Sequence, residues 1–101
     1  MNRPALDQWR IFLKCMELRN FTRTAEALDT DPAYVGKAIA RLEAHLDGPL
    51  FIRTRPRLTP TWLAELYVER VSAAVHEVDR LLAEARSSGR KEGRPNGRKP
   101  L

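Results

Sequence analysis

Apolar residues recur at helical spacing in four stretches of the chain, and each stretch predicts an amphipathic helix. The first covers residues 6–18, the second residues 21–28 and the third residues 31–46. A fourth and longer stretch covers residues 61–86. The apolar face of the third stretch consists of Val35, Ala38, Ile39, Leu42 and Leu46. The pattern predicts a mainly α-helical protein.

The third helix has a well-defined start and an unusual outer face. Asp31 can cap the free amides of the first turn, and Pro32 suits the first helical position. A glycine inside a helix costs about 1 kcal/mol relative to alanine, so we expect something bulky to come close at Gly36. A DNA major groove fits this expectation, and tight packing of another helix is the alternative. The outer face is Ala33, Tyr34, Gly36, Lys37, Ala40 and Arg41.

Only a short turn separates the second helix from the third, which is typical of a helix-turn-helix. Residues 50–53 and 57–59 then predict two short strands that form a small hairpin, or wing. The wing would carry Arg53, Arg55 and Arg57. Because three arginines on so short a hairpin repel each other, we expect them to bind phosphates. Simple solvation of turn charges is the alternative.

The fourth helix follows Thr59, a suitable N-cap, and Pro60, a suitable first residue. With about 26 residues it would be roughly 39 Å long, more than a small domain can cover. Its apolar residues repeat with a heptad period, which predicts pairing with the same helix of a second copy. The residues expected in this contact are Leu63, Tyr67, Val71, Ala74, Val75, Val78, Leu81 and Leu82.

The charge of the chain is unevenly distributed. A length of 101 residues fits one domain, and the formal net charge is +5. Almost all of this excess lies in residues 87–101, a Gly-, Pro- and cation-rich tail that we expect to be disordered. If the rest of the chain binds nucleic acid, its positive charges must be concentrated on one part of its surface.

The chain shows no pattern of catalytic or metal-binding residues. Its one cysteine, Cys15, excludes an internal disulfide and a cysteine-based zinc site, and its apolar neighbours predict a buried thiol. His45 and His76 lie on different predicted helices without a catalytic cluster around them. No apolar run is long enough to span a membrane. We therefore expect a cytoplasmic protein that is not an enzyme and has no cofactor, metal or membrane partner.

Four motifs occur in an order and spacing that resemble the LysR-type transcriptional regulators. They are FTRTAEAL at residues 21–28, Ile39 with the Leu42-Glu43 pair, LFIRT at residues 50–54 and LTP at residues 58–60. The resemblance implies a winged helix-turn-helix domain in residues 1–60, a linker helix in residues 61–86 and a tail in residues 87–101. It also implies a homodimer built on the linker helices, with double-stranded DNA as its partner. Each third helix would enter a major groove, and each wing would meet the minor groove or the backbone.

The chain departs from the family pattern in three places. Family members usually continue into a ligand-sensing domain, whereas this sequence has a basic polar tail after the linker helix. We therefore expect a naturally short regulator without a small-molecule effector. A glutamine that commonly contacts a base is replaced by Pro32, which cannot do so. Trp62 stands where a glycine is common, and we expect it to pack at the junction with the linker helix. The resemblance then assigns base reading to Tyr34, Lys37 and Arg41 with contact from Ala33, and backbone contacts to Thr22 and Arg23.

Two functions are compatible with these features. The leading interpretation is a dimeric, sequence-specific DNA-binding regulator that occupies a promoter and thereby represses or autoregulates it. The alternative is an interaction protein that forms mixed dimers with a full-length relative through the linker helix. The altered recognition helix suits this alternative. DNA binding by the protein alone distinguishes the two.

Overall fold

Four helices and one hairpin make up the structure, a computed structural model that describes residues 3–54 and 57–92, with side chains up to residue 87. The predicted helix-turn-helix and two-stranded wing are confirmed. Arg55 and residues 93–101 of the tail lie outside the described residues. The elements in chain order are α1 (Leu6–Leu18), α2 (Phe21–Ala27), α3 (Pro32–Leu46), β1 (Phe51–Thr54), β2 (Arg57–Pro60) and α4 (Trp62–Glu92).

Two adjacent residues separate α1 from α2. Arg19 adopts the left-handed conformation with φ 58°, and its N–H donates to the Cys15 carbonyl, which ends α1. Asn20 then caps α2, because its side-chain oxygen accepts the Arg23 N–H at 2.9 Å. The chain therefore turns within two residues, and α2 packs against α1.

The helix α3 occupies the centre of the domain. Asp31 is its N-cap as predicted, with Oδ1 accepting the Tyr34 N–H at 3.0 Å. Val35, Ile39 and Leu42 are completely buried, and they share one core with residues from α1, the wing and α4. The predicted apolar face of α3 is thus the face that the domain covers.

The wing is an antiparallel pair in which Phe51 lies opposite Pro60 and Arg53 opposite Leu58. It begins one residue later than predicted because Leu50 makes other hydrogen bonds. The Leu50 N–H donates to Glu43 Oε2 at 2.8 Å, and the Leu50 carbonyl accepts the Thr61 N–H at 2.9 Å. Leu50 therefore joins the wing to α3 and to the start of α4.

Both ends of α4 differ from the prediction. Thr59 and Pro60 belong to β2, and Thr61 caps the helix instead, since its hydroxyl accepts the Ala64 N–H at 3.4 Å. The same hydroxyl donates to the Pro49 carbonyl at 2.7 Å, which fixes the turn into the helix. At the other end α4 continues to Glu92, so the prediction of disorder is wrong for the backbone of residues 87–92.

The first half of α4 packs on its own domain. Ala64 is completely buried, Leu63 and Val71 are half-buried against the core, and Val75 is buried as well. Part of the predicted pairing face is therefore already covered within one chain. Trp62 is 74% exposed, so the expectation that it packs at the junction is wrong. Because a helix turns by about 100° per residue, Trp62 points away from the side that Ala64 buries.

None of the helices in residues 3–54 and 57–92 is long and apolar enough to cross a membrane. The same part of the chain holds no group of three or more His, Cys, Asp or Glu side chains that could bind a metal ion. His45 lies on α3 and His76 on α4, and both side chains are exposed.

Cys15 is completely buried, which confirms the predicted structural thiol, and it leads to a testable prediction. Burial raises the pKa of the thiol from 9.0 to about 11, against smaller opposing effects of Thr24 and Arg53. At pH 8 the native thiol should react with an aromatic disulfide reagent at least about 100-fold more slowly than an ordinary cysteine, because so little thiolate forms. The same protein unfolded in denaturant is the control and should react at the ordinary rate.

The raised pKa also fixes the sign of a pH effect on stability. The unfolded chain loses the thiol proton near pH 9.0 and the folded chain only near pH about 11. The free energy of unfolding should therefore decrease as pH rises through this window, and a Cys15→Ala variant should lack this component. Equal slopes in the two proteins would contradict the assignment.

Candidate nucleic-acid interface

The first turn of α2, the start of α3 and the wing meet around one open cleft of about 440 Å³. Thr22, Arg53 and Arg57 are among the predicted DNA-binding residues, and the structure brings all three to this cleft. The full lining is Asn20, Phe21, Thr22, Pro32, Arg53, Arg57 and Leu58.

The outer face of α3 is free to approach a partner. Ala33, Lys37, Ala40 and Arg41 are all exposed, on the side opposite the buried Val35 and its neighbours. The side chains on this face are short except for the two cations, so a groove wall can come close to the helix backbone. The charges of Lys37 and Arg41 then face the same partner.

Tyr34 lies at the edge of this face. The residue is 48% exposed and lines a second cleft of about 240 Å³ between α3 and α1, together with Asp7 and Arg10. Its position follows from the helix period, which places residue 34 between the outward and buried faces. Tyr34 therefore lies on the side of α3 that faces α1, unlike Lys37 and Arg41, the other two side chains assigned to base reading.

Gly36 faces α2. A Cβ atom built at Gly36 would lie 3.6 Å from Phe21 Cε2 and 3.9 Å from Phe21 Cδ2, which are ordinary van der Waals distances. Packing against α2 therefore leaves room for a methyl group, so close helix packing does not by itself require glycine at this position. A contact between Gly36 and DNA stays a prediction.

Arg53 connects three elements. Its guanidinium donates to Glu43 Oε1 on α3 at 3.1 Å and lies 5.3 Å from the centre of the Phe21 ring on α2. Glu43 uses its other carboxylate oxygen to accept the Leu50 N–H. Arg53 therefore holds the wing against the helix-turn-helix. Its hydrogen bond to Glu43 is charge-assisted, and its guanidinium makes a cation–π contact with the Phe21 ring.

The remaining predicted DNA-binding residues surround this centre. Thr22 and Arg23 are exposed in the first turn of α2, where helix amides and cations favour an anion. Arg57 is exposed at the start of β2. A DNA contact by each of these residues stays a prediction, although their positions leave them accessible.

The site also includes Asn20, Phe21 and Glu43, none of which was predicted to belong to it. Asn20 could have been found, because Asn directly before a helix is a common N-cap. Phe21 and Glu43 could not, since their contacts with Arg53 depend on how the wing folds back over α2 and α3. Spacing along the chain carries no signal for such contacts.

Residues 6–65 match the family of bacterial regulatory helix-turn-helix proteins of the lysR type. The chain belongs to the LysR family. Its relative DmlR, a transcriptional regulator of Escherichia coli, is 34% identical over 83 residues, which are 82% of this chain and 27% of DmlR. The probable transcriptional regulator PA0477 of Pseudomonas aeruginosa is 30% identical, with a TM-score of 0.75 over 81% of this chain and 27% of that one.

A solved complex shares the fold. The DNA-binding domain of CbnR, solved with DNA, superposes with a TM-score of 0.77 over 84% of this chain and 98% of that chain, at 19% identity. The relatives are named as transcriptional regulators, and the LysR family is not a family of enzymes. The chain spans 27% of the length of DmlR and 30% of that of PtxR, another such relative from Pseudomonas aeruginosa.

The packing at Gly36 predicts that a methyl group is tolerated there. Gly36→Ala should raise the free energy of unfolding by about 0.5–1 kcal/mol, because alanine loses less entropy than glycine on entering a helix. Denaturant titration measures the change, and Ala40→Gly on the exposed face of the same helix is the matched control, expected to lower stability by a similar amount. A less stable Gly36→Ala variant would show that Phe21 cannot accept the methyl group.

Proposed function

We propose that the protein is a transcriptional regulator that binds double-stranded DNA through α3 and the wing. The observation that carries this proposal is the exposed face of α3, where Lys37 and Arg41 stand among small side chains, beside a cleft lined by Arg53 and Arg57. Such a face can enter a major groove while the cleft meets the neighbouring backbone.

Each exposed side chain then has a role. Lys37, Arg41 and Tyr34 contact base edges or nearby phosphates. Ala33 contacts the groove wall. Thr22 and Arg23 bind backbone phosphates from the first turn of α2. Arg53 and Arg57 of the wing contact the backbone or minor groove, and we expect the same of Arg55, which lies outside the described residues. Pro32 has no polar side chain or N–H, so part of the sequence preference comes from the shape of the DNA.

Quantitative DNA binding tests this proposal. Fluorescence anisotropy at several salt concentrations should show tighter binding to the upstream DNA of the gene than to a random duplex. Lys37→Ala should weaken the specific binding by about tenfold, since one good contact to a base or phosphate is lost. Arg80→Ala is the matched control, because Arg80 lies on α4 and pairs with Glu77 and Glu84. It should leave the affinity nearly unchanged.

Other outcomes would change the interpretation. Equal and steeply salt-dependent binding to both duplexes would indicate generic electrostatic affinity and contradict sequence-specific recognition. The absence of binding to either duplex would contradict the proposal and favour the mixed-dimer alternative.

We further propose that the protein is a homodimer joined through α4, and that the dimer regulates by occupying a promoter. Residues 80–87 of α4 are all exposed, and Leu81 and Leu82 are 59% and 52% exposed. These leucines continue the heptad pattern beyond the point where the domain covers the helix. Of the predicted contact residues, Leu63, Val71 and Val75 already pack within the chain, so the dimer relies on Tyr67, Ala74, Val78, Leu81 and Leu82.

A charge within this face should separate the two copies. Leu81→Asp should convert the dimer to a monomer at micromolar concentration, because an aspartate would be buried against apolar side chains. Sedimentation velocity measures the change, and Ala83→Asp, on an exposed position facing another direction, is the matched control. Dimers that persist in Leu81→Asp would place the interface elsewhere.

A further inference from the structure

One ion pair connects the first helix of the domain to α4. The Arg10 guanidinium on α1 donates from Nη2 to Asp79 Oδ1 at 2.8 Å and from Nη1 to Asp79 Oδ2 at 3.1 Å. This is the two-pronged arrangement in which an arginine fixes the orientation of a carboxylate as well as its distance. The pair joins residues 69 positions apart in the chain.

The position of the pair on α4 gives it a particular importance. Val75 is the last buried residue of the described part of α4, and Asp79 follows one helical turn later. From there to residue 87 every side chain is exposed. The pair is therefore the last described contact before the helix leaves the domain.

We propose that Arg10 and Asp79 are positioning residues that set the direction in which α4 leaves the DNA-binding domain, and thereby the spacing of the two DNA half-sites that a dimer binds. The inference rests on the proposed dimer and its DNA binding. The proposed role requires neither residue to contact DNA or the second copy. They act by holding the domain at one angle to the helix that joins the copies.

The geometry makes a small angle matter. Tilting the domain by about 10° moves a point about 20 Å from the pivot by about 3.5 Å, close to the rise of one base pair. Apolar contacts along the helix from Ala64 to Val75 hold the first half of α4 against the domain. Val75 is the last buried side chain of the described helix, so the two-pronged ion pair one turn further on is the contact that resists tilting of the helix beyond that point.

Neighbouring charges favour the ionised pair. The Asp79 pKa is lowered below its usual value by the hydrogen bond from Arg10 and, to a smaller extent, by the charges of Arg10 and His76. Asp7 on α1 acts on Arg10 in the same sense. Both partners are therefore charged at neutral pH.

The first arm of the test measures the angle without DNA. Spin labels at Ala27→Cys on the domain and Ala83→Cys on α4 report a distance distribution within one chain, once labelled protein is diluted into unlabelled protein. Asp79→Asn should at least double the width of this distribution. Arg80→Gln, which breaks ion pairs within α4 alone, is the matched control and should leave the width unchanged. Cys15 is buried and should not be labelled.

The second arm measures spacing. Two copies of a half-site, obtained by selection from random duplex DNA, are separated by spacers that differ by one base pair. The ratio of affinities between the best and the next spacing should fall about threefold in Asp79→Asn, which is within what an exposed ion pair can supply. Affinity for a single half-site and the dimer dissociation constant should change by less than about twofold, a result that loss of structure would not give.

The arms separate the possible failures. A distance distribution in Asp79→Asn that matches Arg80→Gln would overturn the inference, as would a broader distribution with an unchanged spacing preference. If the unaltered protein selects no half-site, the proposed function fails, and the distance measurement still decides whether the pair sets the angle.

Discussion

Burial of one face of α3 is the constraint on which the rest of the structure depends. Val35, Ile39 and Leu42 have no exposed surface, and the core that covers them draws on α1, the wing and the first turns of α4. Because burial of that face fixes the rotation of the helix, the opposite face must point outward. The small outward side chains and the two cations therefore owe their placement to apolar packing on the other side of the same helix.

Glu43 connects this helix to the wing. One carboxylate oxygen accepts a backbone N–H from Leu50 and the other accepts from Arg53, so a single side chain fixes both the start of the hairpin and one of its arginines. The stacking of Arg53 near Phe21 brings α2 into the same arrangement. Arg53 is one of the positive charges at the proposed DNA-binding surface, and its contacts with Glu43 and Phe21 also hold that surface together. Arg57, on the second strand, has its side chain exposed.

The sequence was most informative where the structure depends on local periodicity. The bounds of α1 and α3 and the cap at Asp31 follow from apolar spacing and capping chemistry, and the structure agrees with them. The start of α4 did not follow, because Thr59 and Thr61 both satisfy capping rules and the pairing of β2 decides between them. The heptad pattern of α4 likewise does not say whether a domain or a second copy covers each position. Val75 shows the first case, and Leu81 is exposed in one chain.

The hydrogen bond from the Leu58 N–H to the Arg19 carbonyl has a consequence for solubility. A two-stranded hairpin presents two open edges, and unpaired strand edges are templates on which other molecules can add strands. On the β2 side this bond gives one edge amide a partner within the same chain. The edge on the β1 side is only four residues long and includes the charged Arg53. A wing built in this way can project from the domain with little tendency to seed aggregation.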